Sequence, residues 1–213
     1  MSSGTRDLLV EAAARLLDEG GVEGVTLREV GRMAGVSHNA PYKHFASKQA
    51  LLAAIAARDL ARERDAIAAQ TTPATPPEQA LRVVLRHYAD WALHYPARFK
   101  LAFGAWQAAS PELDQAAHEA QALLTGIVAA AQEAGALPAG DPVRLAALVR
   151  ALAHGAADLA SAGHLAPDGK GHAGPGDLID DMLLYLRQAA ASGGASTGLC
   201  DQDGGRAIQE VAQ

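Results

Sequence analysis

Apolar residues recur along most of this chain at the three- and four-residue spacing of amphipathic helices. In the first such segment the apolar stripe runs from Leu8 to Leu17 and stops at Gly20-Gly21. The pattern predicts an all-α fold of about nine helices. Two are short helices within residues 26–46, and the other expected ranges are 5–20, 47–69, 77–95, 97–107, 110–134, 141–162 and 177–191.

Proline and glycine divide these helices into groups. Residues 71–77, TTPATPP, cannot continue a helix, because proline lacks the backbone N–H and clashes with the preceding turn. We therefore expect a first domain over residues 4–64 and a second domain over residues 77–192. Residues 193–213 have no usable periodicity and are expected to form a flexible tail.

The segment that begins at Thr26 combines several capping signals. Thr26 is a typical N-cap, and Glu29 three residues later predicts a reciprocal capping box. Gly35 supplies the left-handed conformation that ends a first short helix. Ser37 is then expected to cap a second helix. The segment therefore predicts a helix-turn-helix over about residues 27–46.

The second helix of this motif is short and mostly polar. Pro41 falls in its first turn, where a missing N–H costs least. The residues that can face inward are Ala40, Tyr42 and Phe45. A polar set is left for solvent or a ligand: Ser37, His38, Asn39, Lys43 and His44. Ser47 is expected to cap the following long helix and to place Lys48 in its first turn, where the cation can reach a phosphate.

The charge of the chain is acidic overall but unevenly distributed. The formal net charge is −6. Residues 1–64 hold nine Lys and Arg against eight Asp and Glu, a net charge of +1, whereas the remainder carries −7. Thr26 to Lys48 contains four basic residues and one acidic residue. The positive field is therefore local to the predicted helix-turn-helix, where the phosphates of DNA would be met.

A spaced pattern, G-V-S-x-x-x-x-Y-x-H-F-x-x-K-x-x-L, runs from Gly35 to Leu51. In this pattern the chain resembles the TetR family of transcriptional regulators, and the similarity covers about residues 4–64. The resemblance implies phosphate contacts from Thr26, Tyr42, His44 and Lys48. It implies base contacts from Arg28, His38, Asn39 and Ala40, with Ser37 and Lys43 on the same surface. The alternative for single residues is structural, with Tyr42 in the core and His44 merely at the surface.

The chemistry of these side chains agrees with such roles. An asparagine can pair with adenine through two hydrogen bonds and an arginine with guanine, while an alanine methyl can pack against thymine. We expect the partner to be double-stranded operator DNA.

Most aromatic residues of the second domain lie within residues 88–106: Tyr88, Trp91, Phe99, Phe103 and Trp106. They predict either ordinary core packing or the wall of an apolar ligand cavity between helices. Residues 91–103 also resemble part of the TetR group with a WHG-type ligand domain, although residues 150–153 lack the tryptophan of that group. The resemblance favours the cavity. His87, His118 and His154 are candidate polar contacts in it, or else structural histidines.

The helices over residues 141–162 and 177–191 have broad Ala and Leu faces. These faces can be buried within one chain. The family resemblance implies instead that they pair with a second copy as a four-helix bundle, which would make the protein a homodimer. The candidate interface residues are Leu145, Leu148, Leu152, Leu159, Leu178, Met182 and Leu186.

Several classes of protein are disfavoured. The one cysteine, Cys200, excludes an intrachain disulfide framework, and the histidines lack metal-ligand spacing. No enzyme motif, membrane span or signal peptide is recognisable. We expect a cytoplasmic protein with no cofactor and no metal.

The resemblance implies a ligand-responsive transcriptional repressor that an apolar or amphipathic small molecule releases from a palindromic operator. Two alternatives stay open. One is a helical small-molecule-binding protein or enzyme with a vestigial DNA-binding motif, and the other is a regulator that acts through a protein partner.

Overall fold

The computed structural model describes residues 4–106 and 109–196, with side chains up to residue 192. That part of the chain is all-α, as predicted, with a single isolated β-bridge between Ala166 and Gly171 as its only extended pairing. No helix within it is long and apolar enough to cross a membrane. Its nine helices are α1 (Thr5–Gly24), α2 (Leu27–Met33), α3 (Ala40–His44), α4 (Lys48–Gln70), α5 (Pro77–His94), α6 (Pro96–Ala102), α7 (Pro111–Glu133), α8 (Pro142–Ser161) and α9 (Pro175–Ser196).

Helices α1, α2 and α3 surround one apolar core together with the first turns of α4. The side chains that fill it include Leu9, Leu17, Val30, Phe45, Leu51 and Ile55. The expected stop at Gly20-Gly21 appears as a kink, because Gly21 has a φ of +62° inside α1. Val25 is fully buried after the kink, whereas Val22 is exposed.

Helix α4 connects this core to the rest of the molecule. The Ser47 Oγ accepts a hydrogen bond from the Ala50 N–H at 3.1 Å, which confirms the predicted cap. From there α4 contributes Leu51 to the first core, Leu60 to a second cluster with Trp91 and Phe99, and Ile67 to the core of the C-terminal helices. A single helix therefore packs into three apolar clusters.

Helices α5, α7, α8 and α9 form the C-terminal bundle around buried residues such as Leu85, Val128, Val149 and Ile179. Residues 71–76 are non-helical, as the prolines predict, and α5 begins at Pro77. The Ser110 and Asp141 side chains cap α7 and α8, each followed directly by a proline.

Two helix lengths differ from the sequence prediction. Helix α6 ends at Ala102 rather than at residue 107, and Phe103 has already left helical geometry ahead of Gly104. Helix α9 starts at Pro175 and continues to Ser196, beyond the expected end at residue 191. Residues 193–196 of the predicted tail are thus helical, while residues 197–213 lie outside the described residues.

Candidate nucleic-acid interface and internal cavity

The helix-turn-helix opens at Thr26, whose Oγ1 accepts a hydrogen bond from the Glu29 N–H at 3.2 Å. This confirms the predicted N-cap. The reciprocal half of the capping box is wrong, because the Glu29 carboxylate accepts from the Arg32 guanidinium at 2.5 Å instead. The hydrogen bonds from Arg32 lower the pKa of Glu29. Arg32 is therefore already paired within α2.

The turn between α2 and α3 depends on Gly35, whose φ of +66° lies in the left-handed region. The prediction that Ser37 caps the next helix is wrong, because α3 begins at Ala40 with Asn39 in the N-cap position. The Ser37 carbonyl accepts a hydrogen bond from the Ala40 N–H at 2.9 Å. That N–H, which a serine hydroxyl could have capped, is thereby occupied by the backbone.

Helix α3 places its polar side chains outward. Its buried side consists of Pro41, which packs on Gly31 of α2, and Phe45 directly after the helix. Tyr42 was expected to be able to face inward, but it is 54% exposed, so it does not belong to the core. The other exposed residues of the predicted DNA-contact set are Thr26, Arg28, Ser37, His38, Asn39, Lys43 and His44, and the half-buried ones are Ala40 and Lys48.

Three basic residues of this surface lack a carboxylate partner among the described residues. No Asp or Glu oxygen of that set lies within 4 Å of Arg28, Lys43 or Lys48, in contrast to Arg32. The His38 ring lies 5.9 Å from the Tyr42 ring, and its Nδ1 lies 3.3 Å from the Asn39 Oδ1. Positive charge, amide and aromatic groups are thus presented together on one surface, a combination suited to a phosphate backbone and its adjacent base edges.

An internal cavity of about 220 Å³ lies among helices α4 to α8. Its wall is mostly apolar and is formed by Leu60, Ile67, Val84, Leu85, Trp91, Ala102, Phe103, Leu123 and Leu124, with Ala117 and Ala120 beside them. The polar residues that line it are Glu63, Arg64, His87, Tyr88, Gln121 and Arg150. A small pocket with an apolar wall and a few polar groups is typical of a small-molecule site.

The predicted aromatic cluster exists, but only part of it lines this cavity. Tyr88, Trp91 and Phe103 contribute to the wall, while Phe99 is buried behind them, 5.4 Å from the Trp91 ring and 4.9 Å from the Phe103 ring. The Tyr88 hydroxyl lies 2.7 Å from the His154 Nδ1. His154 therefore supports the wall through Tyr88.

Two predicted ligand residues lie elsewhere. Trp106 lines a separate cleft with Leu17, Leu52 and Leu101, because the chain has already left α6 at Phe103. His118 is exposed on the outer side of α7. Neither residue lines the cavity, so both predictions are wrong for this site.

Charged residues of the cavity have oppositely charged or titratable partners among the described residues, with the exception of Arg150. The His87 Nε2 lies 2.6 Å from the Glu63 Oε2. Burial raises the pKa of Glu63, against the opposing influence of His87. Arg64 forms ion pairs with Asp65 and Glu119. Arg150 instead donates from its Nη1 to the neutral Gln121 Oε1 at 2.5 Å.

Sequence reasoning missed these four polar lining residues: Glu63, Arg64, Gln121 and Arg150. Glu63 and Arg64 belong to the charged stretch from Arg58 to Asp65 at the end of α4, whose composition predicts a solvated face with i,i+4 pairs. That prediction is wrong, because Glu63 lies beside His87 of α5 and Arg64 pairs with Glu119 of α7. Its most buried member, Asp59, is 3% exposed and accepts from Arg58 at 2.7 Å.

Ion pairs also join α6 to the first core. Arg98 of α6 donates to both Asp18 carboxylate oxygens of α1, at 2.5 and 2.9 Å. Its Nη1 lies 3.9 Å from the Oδ2 of the buried Asp59 on α4. Arg58 contacts Glu11 of α1 at 3.0 Å. Burial alone would raise the pKa of Glu11, but Arg58 and Arg62 lower it.

The two helices expected to pair with a second copy each have a buried and an exposed stripe. On α8, Leu148, Leu152 and Leu159 are exposed, the first to 59%. On α9 the exposed apolar residues are Leu184 and Tyr185. Of the other predicted interface residues, Leu145, Leu178 and Leu186 are half-buried. Met182 packs into the core of its own chain, so for this residue the alternative of burial within one chain is the correct one.

Two family descriptions match this chain on either side of residue 71. "Bacterial regulatory proteins, tetR family" matches residues 9–55, and "Tetracyclin repressor-like, C-terminal domain" matches residues 81–183. The chain belongs to the TetR family of transcriptional regulators. The TetR assignment agrees with the helix-turn-helix and with the all-α C-terminal bundle, and the matched relatives are regulators rather than enzymes.

Individual TetR relatives agree with this assignment. The HTH-type transcriptional regulator BetI of Rhizobium meliloti (strain 1021) is 39% identical over 80 residues, which are 37% of this chain and 39% of BetI. The chain thus matches well under two thirds of that regulator's length. A protein of unknown function from Rhodococcus sp. RHA1 is 30% identical with a TM-score of 0.75, over 88% of this chain and 96% of that one.

The TetR fold also recurs in AibR in complex with isovaleryl coenzyme A and operator DNA. That structure has a TM-score of 0.61 at 18% identity and covers 86% of this chain and 98% of AibR. At this level of identity the similarity concerns the fold.

Proposed function

We propose that this TetR-family chain is a homodimeric, operator-binding repressor that a small apolar or amphipathic molecule releases from DNA. The observation that carries the proposal is the outward surface of α3 and its flanks. It exposes Asn39 and Tyr42 beside basic residues that have no acidic partner among the described residues. Such a surface is suited to a polyanion such as operator DNA. A repressor of this kind would act in the cytoplasm.

In the proposed complex, α3 enters the major groove. Arg28, His38, Asn39 and Ala40 approach base edges, and phosphates are held by Thr26, Ser37, Tyr42, Lys43, His44 and Lys48. Lys48 is the first residue of α4, so the helix N-terminus adds its own attraction for a phosphate.

Two copies are needed to read a palindromic site. The exposed apolar residues of α8 and α9 support a two-fold pairing of these helices into a four-helix bundle. A dimer of this kind places two reading helices about one DNA turn, ~34 Å, apart.

The cavity is proposed as the effector site, because α4 lines it. The same helix begins at the domain formed by α1 to α3, which we call the DNA-reading unit. Occupancy that favours a different position of α4 would shift the population of dimers away from the spacing that fits DNA. AibR, which shares the fold, has a crystal structure in complex with isovaleryl coenzyme A and operator DNA.

The DNA-binding part is tested by titrating a palindromic duplex, selected from random sequence, at several salt concentrations. We expect Lys48→Ala to weaken binding and to reduce the slope of log K against log salt by about one. Tyr42→Phe should also weaken binding. Lys170→Ala, which removes an exposed lysine far along the chain, is the matched control and should leave both quantities unchanged.

The recognition of the DNA sequence is tested with Asn39→Ala. We expect this variant to relax base preference at one position of each half-site by about 1–3 kcal/mol. Salt-independent binding of the wild-type protein, or equal binding by the Lys48 and Lys170 variants, would favour a helical small-molecule-binding protein with a vestigial motif.

A further inference from the structure

Arg150 is a charged residue of the cavity wall without an opposite charge beside it. It lies half-buried on α8, one turn before His154. Its guanidinium donates to the Gln121 amide oxygen, and no carboxylate of the described residues lies within 4 Å of it. A half-buried cation whose hydrogen-bond partner is a neutral amide has lost hydration without gaining an ion pair.

The other charged groups of the cavity do not supply the missing charge. Glu63 is in contact with His87, and Arg64 is paired with Asp65 and Glu119. Glu63 lies beside His87 and, like every other carboxylate of the described residues, more than 4 Å from the nitrogens of the Arg150 guanidinium. No ion pair with Arg150 therefore forms within this part of the chain.

The surroundings of Arg150 also favour an anion. The Arg150 charge opposes the effect of burial on the pKa of Tyr88, which places its field within the cavity. A guanidinium has five N–H donors, and the bond to Gln121 uses only the Nη1 group, so other donors of Arg150 remain for a ligand. A carboxylate could therefore bind beside the neutral amide oxygen and accept stronger, charge-assisted hydrogen bonds from Arg150.

We propose that the effector of this protein is a small apolar carboxylic acid whose carboxylate binds Arg150 and whose hydrocarbon part lies against α4. This assignment rests on the proposed effector site, because it names the class of molecule that occupies it. The hydrocarbon part would contact Leu60 and Ile67, which line the cavity from α4. A bound acid would thus join α8 to the helix that leads to the DNA-reading unit.

The size of the cavity restricts the acid to short or compact molecules. Its volume of about 220 Å³ lies below the roughly 300–1,000 Å³ that is typical of sites for drug-sized ligands. An acid with a short chain, a branched chain or a single ring fits this space better than a bulky conjugate.

The test compares straight-chain acids of roughly four to ten carbons with the primary alcohols of the same length, a range set by the small cavity. Calorimetry gives each affinity, and quenching in a Trp106→Phe background, where Trp91 is the remaining tryptophan, reports occupancy of the cavity. We expect the best acid to bind about 10- to 100-fold more tightly than its alcohol, as a charge-assisted hydrogen bond would give.

Two substitutions of Arg150 and one control variant test whether the preference for the acid depends on Arg150. Arg150→Gln should remove the preference for the acid while it leaves the affinity for the alcohol unchanged. Arg150→Lys should retain much of the preference, which also shows that the site folds. Arg144→Gln removes an exposed cation from the same helix and should behave as wild type.

The possible outcomes separate the two proposals. Equal binding of acid and alcohol, or an acid preference that survives in Arg150→Gln, overturns the carboxylate assignment. The effector site itself stands in that case if any ligand that quenches Trp91 also weakens operator binding. If acids bind with the expected preference but operator affinity does not change, the carboxylate assignment stands and the cavity's proposed role as effector site fails.

Discussion

Two surfaces of this molecule expose side chains of opposite kinds. The surface around α3 presents His38, Asn39, Tyr42, Lys43 and His44 over a core that is entirely apolar. The outer surface of α8 and α9 presents leucines and a tyrosine, while the cavity among helices α4 to α8 contains charged and hydrogen-bonding groups. The polar chemistry is thus outside in the first region and inside in the second.

This difference indicates two kinds of missing partner. Unpaired cations cost little in water and gain most from phosphates, so the first surface is suited to nucleic acid. Exposed leucines gain from leaving water, so the second surface is suited to another apolar surface, for which a second copy of the same helices is the simplest candidate.

The largest expected effect comes from making the apolar surface polar. In Leu148→Glu/Leu159→Glu, like charges would face each other across the two-fold axis, and we expect sedimentation to show a monomer. Operator affinity should fall about 100-fold or more, because a single reading helix loses the avidity of two. Leu93→Glu is the matched control, since this exposed leucine lies on α5. A double variant that still sediments as a dimer would exclude this face as the interface.

A smaller effect is expected at the ion pairs that join α6 to α1 and α4. Arg98→Met leaves the carboxylates of Asp18 and the buried Asp59 without this partner, and should lower the free energy of unfolding by about 2–3 kcal/mol. Arg187→Met removes a half-exposed arginine that contacts Glu78 at 3.1 Å, and should cost at most about 1 kcal/mol. Urea denaturation measures both, and equal costs would show that α6 is held by its apolar contacts instead.

The smallest effect concerns backbone geometry. Gly35→Ala places a side chain at a φ of +66° in the turn of the reading unit, and we expect it to lower the free energy of unfolding by about 1–2 kcal/mol. Gly126→Ala, at an exposed position inside α7 with open space around it, should raise that free energy by up to about 1 kcal/mol. Opposite signs in thermal denaturation would support the turn geometry, and a neutral Gly35 variant would contradict it.

The reading unit was largely predictable from sequence because its signals act over three or four residues. Thr26 and Ser47 cap helices and Gly35 ends one, each within reach of its own neighbours. Ser37 shows the limit of this reasoning, since an equally good capping residue was displaced by a backbone hydrogen bond. The outward position of Tyr42 goes with the packing of Pro41 on Gly31, a contact between two helices that local signals do not reveal.

The cavity was less predictable because its polar residues come from helices that are distant in sequence. The aromatic cluster marked the right region, since Tyr88, Trp91 and Phe103 do line it. Glu63 appeared in a charged stretch that has the composition of a solvated face, and nothing near Arg150 in sequence indicates that it meets Gln121, 29 positions earlier. Such pairings depend on helix packing, which a local pattern does not determine.

The apolar stripes of α9 illustrate a related ambiguity. A leucine-rich helix offers more than one stripe at helical spacing, and the sequence does not say which stripe faces the chain's own core. The structure buries Met182 with Ile179 and Leu183, which leaves Leu184 and Tyr185 exposed.

The unbroken course of α4 has a mechanical consequence. Fifteen residues separate Lys48 from Glu63, and at 1.5 Å per residue the distance along the helix between them is about 22 Å. A tilt of roughly 5° about the cavity end would move Lys48 by about 2 Å, and opposite tilts in two copies would change the distance between them by up to about 4 Å. This change in distance exceeds the length of a hydrogen bond, so in the proposed complex the two half-sites could not both keep their phosphate contacts after such a tilt.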